Sequence, residues 1–265
     1  MRYALMYCTT SSLSGVFVNK ALLLHEMSWV KAEEQLRRAD VALLPIGSVE
    51  QHGPHNPLGT DYLIAYKLAL QASARTSALC LPPIPFGVSA HHRHFPGTIY
   101  VKPGSLRAYV RDVLCSLADQ GPRKVVIVNG HGGNLHSLLE VARELRGERK
   151  AFVVVYQWWD AIKELYPKEE RGHAASLETS LNLYLHKDLV DMSRAVDEPL
   201  KKLSYELKGV YVPWDTRDFT SSGVMGISTT ASEAKGKEVF EKALKELCSL
   251  IEELRRIPLD RLLKA

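Results

Sequence analysis

The sequence predicts an α/β protein built on a parallel or mostly parallel sheet with helices on both faces. Three observations point there: the near-continuous apolar runs VALLPI (41–46) and KVVIVN (124–129), the polar glycine-rich loops directly after them, and the helical periodicity that follows each loop. Strands covered on both faces lose the alternation of a half-exposed sheet, and parallel neighbours need a crossover, usually a helix, between them.

Taken in order, Ser28 is placed to cap a first helix over Trp29–Arg38, ahead of the strand at 41–46. Helical periodicity resumes after Asp61 in YLIAYKLALQASA, and the apolar run ALCLPPIPF (78–86) leads into a polar loop, GVSAHHRHFPGT. Pro103 suits the first turn of a helix running to about Gln120. The β-branched run KVVIVN is the clearest strand and empties into GHGGN (130–134), with Asn134 as the expected cap of a helix to Arg146. AFVVVYQ (151–157) is the next strand, and Trp158 and Trp159 open a further helix that could wall a pocket or pack into the core. From Thr229 onward, apolar residues at 239, 240, 244, 247, 250, 251 and 254 predict a long amphipathic helix that packs on the sheet or on another subunit.

Composition narrows the class. At 265 residues, 46% hydrophobic and 24% charged, the chain suits one soluble domain, read here as 22–265 after an N-terminal extension at 1–21. The net charge of +4 comes from interleaved Lys/Arg and Asp/Glu, without the basic stripe of a nucleic-acid partner. No run approaches the roughly 18–20 apolar residues that span a bilayer, so no membrane role is expected. Cys8, Cys80, Cys115 and Cys248 form no CxxC pair, which points to a reducing cytoplasm.

In open α/β sheets the functional site lies beyond the carboxyl ends of the strands. The loops after 41–46 and 124–129 should therefore bring Glu50, His52, His55, Asp61 and His131 together, with His173 and Glu178 added from the second half. Glu50 and His52 are one residue apart, so in extended chain they point the same way, about 7 Å apart at Cα. Asp61 at a helix start can bridge two cations. Carboxylates with imidazoles suit zinc, manganese or iron(II). His173 and Glu178 lie about 140° apart on an ideal helix, which places His173 in a loop and Glu178 in the first turns. A histidine beside the metals can carry a proton to a leaving amine. In HHRHFPGT (91–98), consecutive histidines cannot share one ion, so His92 or His94 is read as a hydrogen-bond donor to substrate. The glycines Gly132 and Gly133 let the backbone pass close to metal or substrate; a phosphate loop is the alternative at GHGGN, although the Lys and Ser/Thr of a P-loop are missing.

These pieces together resemble the creatininase family of metal-dependent amidohydrolases. The resemblance rests on GSVEQHGPHNPLGTD, the HxxFPGT of His92–Thr98, NGHGGN, HAASLETS (173–180) and SGVMGISTTASEAKG (222–236), in that order. It implies a three-layer α/β/α sandwich, a homohexamer, and two divalent metals per subunit sharing a carboxylate. By motif, Glu50 and His131 would bind one metal, His52 the other and Asp61 both, with His173 as the proton carrier. Substrate contacts are expected at His55, His92, Gly132, Gly133 and Asn134.

Two departures shape the expectation. Creatinine-hydrolysing members have a second-metal Glu where this chain has Gly133, so the second site is expected either to rely on Glu178 and water or to be weakly occupied, with Glu178 also serving the reaction. Their Trp–Asp pair before the HAG histidine is replaced by KEERGH (168–173), which makes creatinine a poor substrate candidate, and the HAG glycine is Ala175, whose methyl would tighten the turn. The expected activity is hydrolysis of a C–N amide bond in a small amide, formamide or peptide. An anion-binding protein with a structural metal, and a metal-dependent esterase or phosphoesterase, are the alternatives.

Overall fold

Strands β1 (Leu22–Leu23), β2 (Ala42–Ile46), β3 (Leu79–Cys80), β4 (Lys124–Asn129) and β5 (Phe152–Gln157) form one sheet in the order β1-β3-β2-β4-β5, with every ladder parallel. This is a computed structural model, and it describes residues 20–199, 209–210 and 212–264; most of the expected N-terminal extension lies outside them.

The side-chain period of two sorts the central strands between two cores. Leu43, Val126 and Val128 point to one face, where they meet Ile64 and Leu68 of α2 (Thr60–Thr76). Trp158 and Ile162 of α5 (Trp158–Ile162), Leu177 and Leu181 of α6 (Ser176–Leu185) and Phe240 and Leu247 of α8 (Glu233–Arg256) complete that core. Ala42, Leu44, Ile46, Val125 and Ile127 point to the other face, against α1 (Trp29–Arg38), α3 (Pro103–Asp119) and α4 (Leu135–Gly147). The result is a three-layer α/β/α sandwich. Two short helices, α7 (Thr216–Phe219) and α9 (Leu259–Leu262), complete the described elements called α.

Two expectations need adjustment. The run 78–86 makes only a two-residue strand plus a bridge between Ile84 and Ile46, because Pro82 and Pro83 have no N–H for a ladder. Asn134 does not cap α4 through its side chain. Its amide instead donates to Gly47 O (3.0 Å) and accepts from Val88 N (2.9 Å), stapling three loops. Helix α8 packs on the sheet as expected: Tyr156 of β5 donates to Ala243 O (2.7 Å) and Lys124 of β4 to Leu254 O (2.8 Å), and its apolar face also meets α6, α2 and α5. No described helix is long and apolar enough to cross a membrane.

What positions the site is register. Ile46 and Asn129 are paired across β2 and β4, so the loops that follow leave the sheet side by side. Gly130 lets them close: a Cβ there would lie 2.1 Å from the Asp61 carbonyl oxygen.

Candidate metal centre

Asp61, the second residue of α2, sits under this junction and is 3% exposed; Glu50 and His52 are 1% and 0% exposed. Asp61 Oδ1 is 2.9 Å from His52 Nε2, and Asp61 Oδ2 is 3.0 Å from His131 Nδ1. Glu50 Oε2 also approaches His131 Nδ1, at 3.1 Å. Glu178, in the first turn of α6, brings Oε2 to 3.9 Å from His52 Nε2. One carboxylate thus faces two imidazoles. The donor atoms of Glu50, Asp61 and His131 lie within 4.8 Å of one another, as do those of His52, His173 and Glu178 and those of Glu50, His92 and His173, close enough in each case to share an ion.

The donor chemistry fits divalent cations. His52 Nδ1–H donates to the Glu50 carbonyl (3.1 Å) and His131 Nε2–H to the Val88 carbonyl (3.0 Å), so the other nitrogen of each ring points inward as a lone pair. Both Glu50 oxygens, Asp61 Oδ2 and His52 Nε2 are buried without an aligned hydrogen bond. Buried polar atoms of this kind cost free energy unless something satisfies them.

The charges agree. Burial alone would raise the Glu50 pKa, but His131 and His92 outweigh it and hold the carboxyl down at about 2. Burial opposes charge on His52 as well, yet Asp61, Glu178 and Glu50 push it up to about 10, and His131 is driven well above its ordinary value by Glu50 and Asp61. Burial raises the Glu178 carboxyl to about 7. In the bare protein the carboxylates call for positive charge, which divalent cations supply in place of the imidazole protons. Two carboxylates below GHGGN also disfavour the phosphate-loop alternative, since an anion there would meet like charge.

Gln51, which motif reasoning passes over, orders the histidines. Its Oε1 accepts from Gly53 N–H (2.9 Å) while Nε2 donates to Gly223 O (3.2 Å), which fixes the amide orientation. Nε2 also lies 2.9 Å from His92 Nδ1, so that nitrogen accepts and His92 carries its proton on Nε2, 3.3 Å from Glu50 Oε1. His92 therefore backs the Glu50 carboxylate. With both Gln51 amide protons engaged, His173 Nε2–H donates to the Gln51 carbonyl (2.7 Å), leaving Nδ1 as a lone pair 3.9 Å from Glu50 Oε1. Burial, with His52 and His92 nearby, holds His173 well below its ordinary pKa.

A cleft of about 230 Å³ opens over this centre, lined among others by Glu50, Asp61, His131, His173 and Glu178. His92, Gly132 and Gly133 line it, as do Trp158 and Trp159. His55 and Asn134 do not. His55 Nε2 bonds Thr179 Oγ1 (2.9 Å), tying its loop to α6, and Asn134 is the loop staple. His94 turns outward to Asp215 (3.0 Å). His91, Arg171 and Met225 line the cleft without having stood out in the sequence. At Gly133 a Cβ would lie 2.3 Å from the Val88 carbonyl oxygen, so the backbone here has no room for a side chain. The tight turn falls at Ala174, with φ of 55°, while Ala175 at φ −83° takes its methyl without strain, contrary to the expectation for that position. Ala174 N–H donates to Glu178 Oε2 (2.7 Å), which aims that carboxylate.

Comparison with known proteins agrees with this geometry. The family described as creatininase, creatinine amidohydrolase, matches residues 25–251. The creatinine amidohydrolase of Pseudomonas putida is 31% identical, over 89% of this chain and 98% of its own. A mycofactocin precursor peptide peptidase of Mycolicibacterium smegmatis is 33% identical over 76% of this chain and 79% of its own. A solved structure of creatininase with Mn superposes at a TM-score of 0.76, with 30% identity, covering 90% of this chain and 100% of that one. The chain belongs to the creatininase family.

Proposed function

We propose that this protein is a metal-dependent amidohydrolase that cleaves a C–N amide bond, linear or cyclic, in a small amide, formamide or short peptide. The observation that carries the reading is Asp61, buried between His52 and His131 with one oxygen towards each. Glu50, His131 and Asp61 would hold one divalent ion; His52, Asp61 and Glu178 would hold the second, with Glu178 in the role that Gly133 cannot fill. Zinc, manganese and iron(II) all suit this set. Such ions lower the pKa of water and polarise a carbonyl.

The chain's own residues do the rest. Gln51 and the Gln51 carbonyl hold His173 in the tautomer whose Nδ1 faces the cleft, where it takes up a proton and passes it to the departing nitrogen. His92 steadies Glu50. Trp158 and Trp159 wall the cleft and limit water. KEERGH in place of the Trp–Asp pair argues against creatinine as the substrate. We extend the reading to a homohexamer in the cytoplasm; exposed Trp29, Ile99 and Tyr109 offer apolar surface for subunit contacts.

The test is a panel of formamides, lactams, small peptides, esters and phosphoesters offered to the metal-reconstituted protein. Turnover of amides is expected; turnover of esters or phosphoesters alone would sink the assignment.

A further inference from the structure

Beside the cleft lies a second cavity of about 1050 Å³. The two share Trp159, Arg171, Gly172, His173 and Met225 as walls. At about 230 Å³ the cleft alone is smaller than the roughly 300–1,000 Å³ of ordinary ligand pockets, so it has room for the scissile amide and little more. The adjoining chamber offers room for a larger substituent.

The position of His173 decides which half of the substrate that is. His173 stands on the boundary of both cavities, and in the reading above it protonates the nitrogen. The amine half therefore faces the chamber and the acyl half the floor over Glu50 and His131. Two features describe what the amine half must look like. Trp159, Met225 and Ile227 give the chamber apolar wall. Arg171 lines both cavities, is solvent-exposed and has no ion-pair partner among the described residues: its neighbour Glu170 is taken by Lys235 (2.8 Å), and Asp160, another lining residue, accepts from Gln157 (2.5 Å). Lys163 and Lys168 also line the rim, with Glu169 as the opposing carboxylate. A planar guanidinium left open beside an apolar wall matches a carboxylate next to an apolar side chain.

We infer that the preferred substrate is an N-acyl amino acid or short peptide whose carboxylate binds Arg171 and whose apolar side chain lies against Trp159, Met225 and Ile227 in the chamber. The inference rests on the amidohydrolase reading. In the reaction the acyl C–N bond breaks, the water oxygen joins the carbonyl carbon, and a water proton reaches the nitrogen through His173. The products are a carboxylate and a free amino acid.

The experiment compares N-formyl-leucine, its carboxamide and N-formyl-glycine as substrates of the Mn- or Zn-reconstituted protein and of Arg171→Met and Arg171→Lys. Wild type should favour N-formyl-leucine over its carboxamide by about 10- to 100-fold in kcat/KM, mostly through KM, and over N-formyl-glycine. Arg171→Met should bring the carboxylate-to-carboxamide ratio close to one with metal content retained, and Arg171→Lys should restore part of it. Equal rates on acid and carboxamide in wild type, or a preference that survives Arg171→Met, would overturn the inference. Hydrolysis of formamide or a lactam but of neither leucine compound overturns it alone, whereas no hydrolysis of any amide brings down the amidohydrolase reading as well.

Discussion

At the scale of single residues, the placement of protons on the histidines is as specific as the set of candidate ligands. Gln51 is neither acid nor base, yet its fixed amide decides which nitrogen of His92 accepts and which nitrogen of His173 is open to the cleft. Replacing Gln51 with Met keeps the bulk and removes the donor. Turnover should fall about 10- to 100-fold with metal content unchanged and KM moving far less than kcat, as for other residues that orient ligands from behind. Loss that lies entirely in KM would refute the tautomer argument. The ligand candidates were legible in the sequence because carboxylates and imidazoles just past buried strands have little structural reason to be there. Gln51 was not, since an amide between two ligands looks like any loop glutamine, and Arg171 was not, since nothing along the chain says that 171 meets 225.

At the scale of elements, close backbone approach sets the site. Gly130 ends β4 against the first turn of α2, and a Gly130→Ala methyl would press on the carbonyl of Asp61 itself. We expect that variant to lose metal affinity well before it loses the fold, read as weaker Mn or Zn binding with far-UV circular dichroism preserved; unchanged affinity would show that the contact yields easily. His55, tying its loop to Thr179 of α6, gives a pH signature. Burial, helped by nearby His52, lowers its pKa from 6.5 to about 4. Between these values the unfolded chain binds a proton that the folded chain refuses, so the His55 contribution is complete above pH 6.5 and is lost as pH falls towards 4, by up to roughly 3 kcal/mol. His55→Gln should therefore flatten the fall in urea midpoint between pH 7 and pH 4.5, and an identical fall in both proteins would contradict the assignment. Helix periodicity predicted α1, α3 and α8 closely, because amphipathic spacing is a local signal. The shortness of β3 is set by two prolines whose missing N–H groups count only once a neighbouring strand is in place.

At the scale of the whole molecule, one topological fact gathers the chemistry. β2 and β4 are not consecutive in the chain, yet they are neighbours in the sheet centre and end in register at Ile46 and Asn129. The loop carrying Glu50 and His52 and the loop carrying His131 must meet there, with Asp61 held below by α2 and Glu178 brought in by α6. The meeting of the first two loops follows from a general property of parallel α/β sheets and could be read from the strand pattern. The chamber beside His173 could be read only in part: Trp159 stood out at the start of a helix, whereas Met225 and Ile227 come from an irregular segment with no periodicity to read. The central claim is that Asp61 joins two ion sites and that these sites drive amide hydrolysis. The most direct measurement is the number of divalent ions bound per chain, by elemental analysis of the reconstituted protein, in wild type and in Asp61→Ala alongside amide turnover. Two ions per chain and turnover are expected in wild type, with both lost in Asp61→Ala; full metal stoichiometry in Asp61→Ala would rule out a shared Asp61 carboxylate.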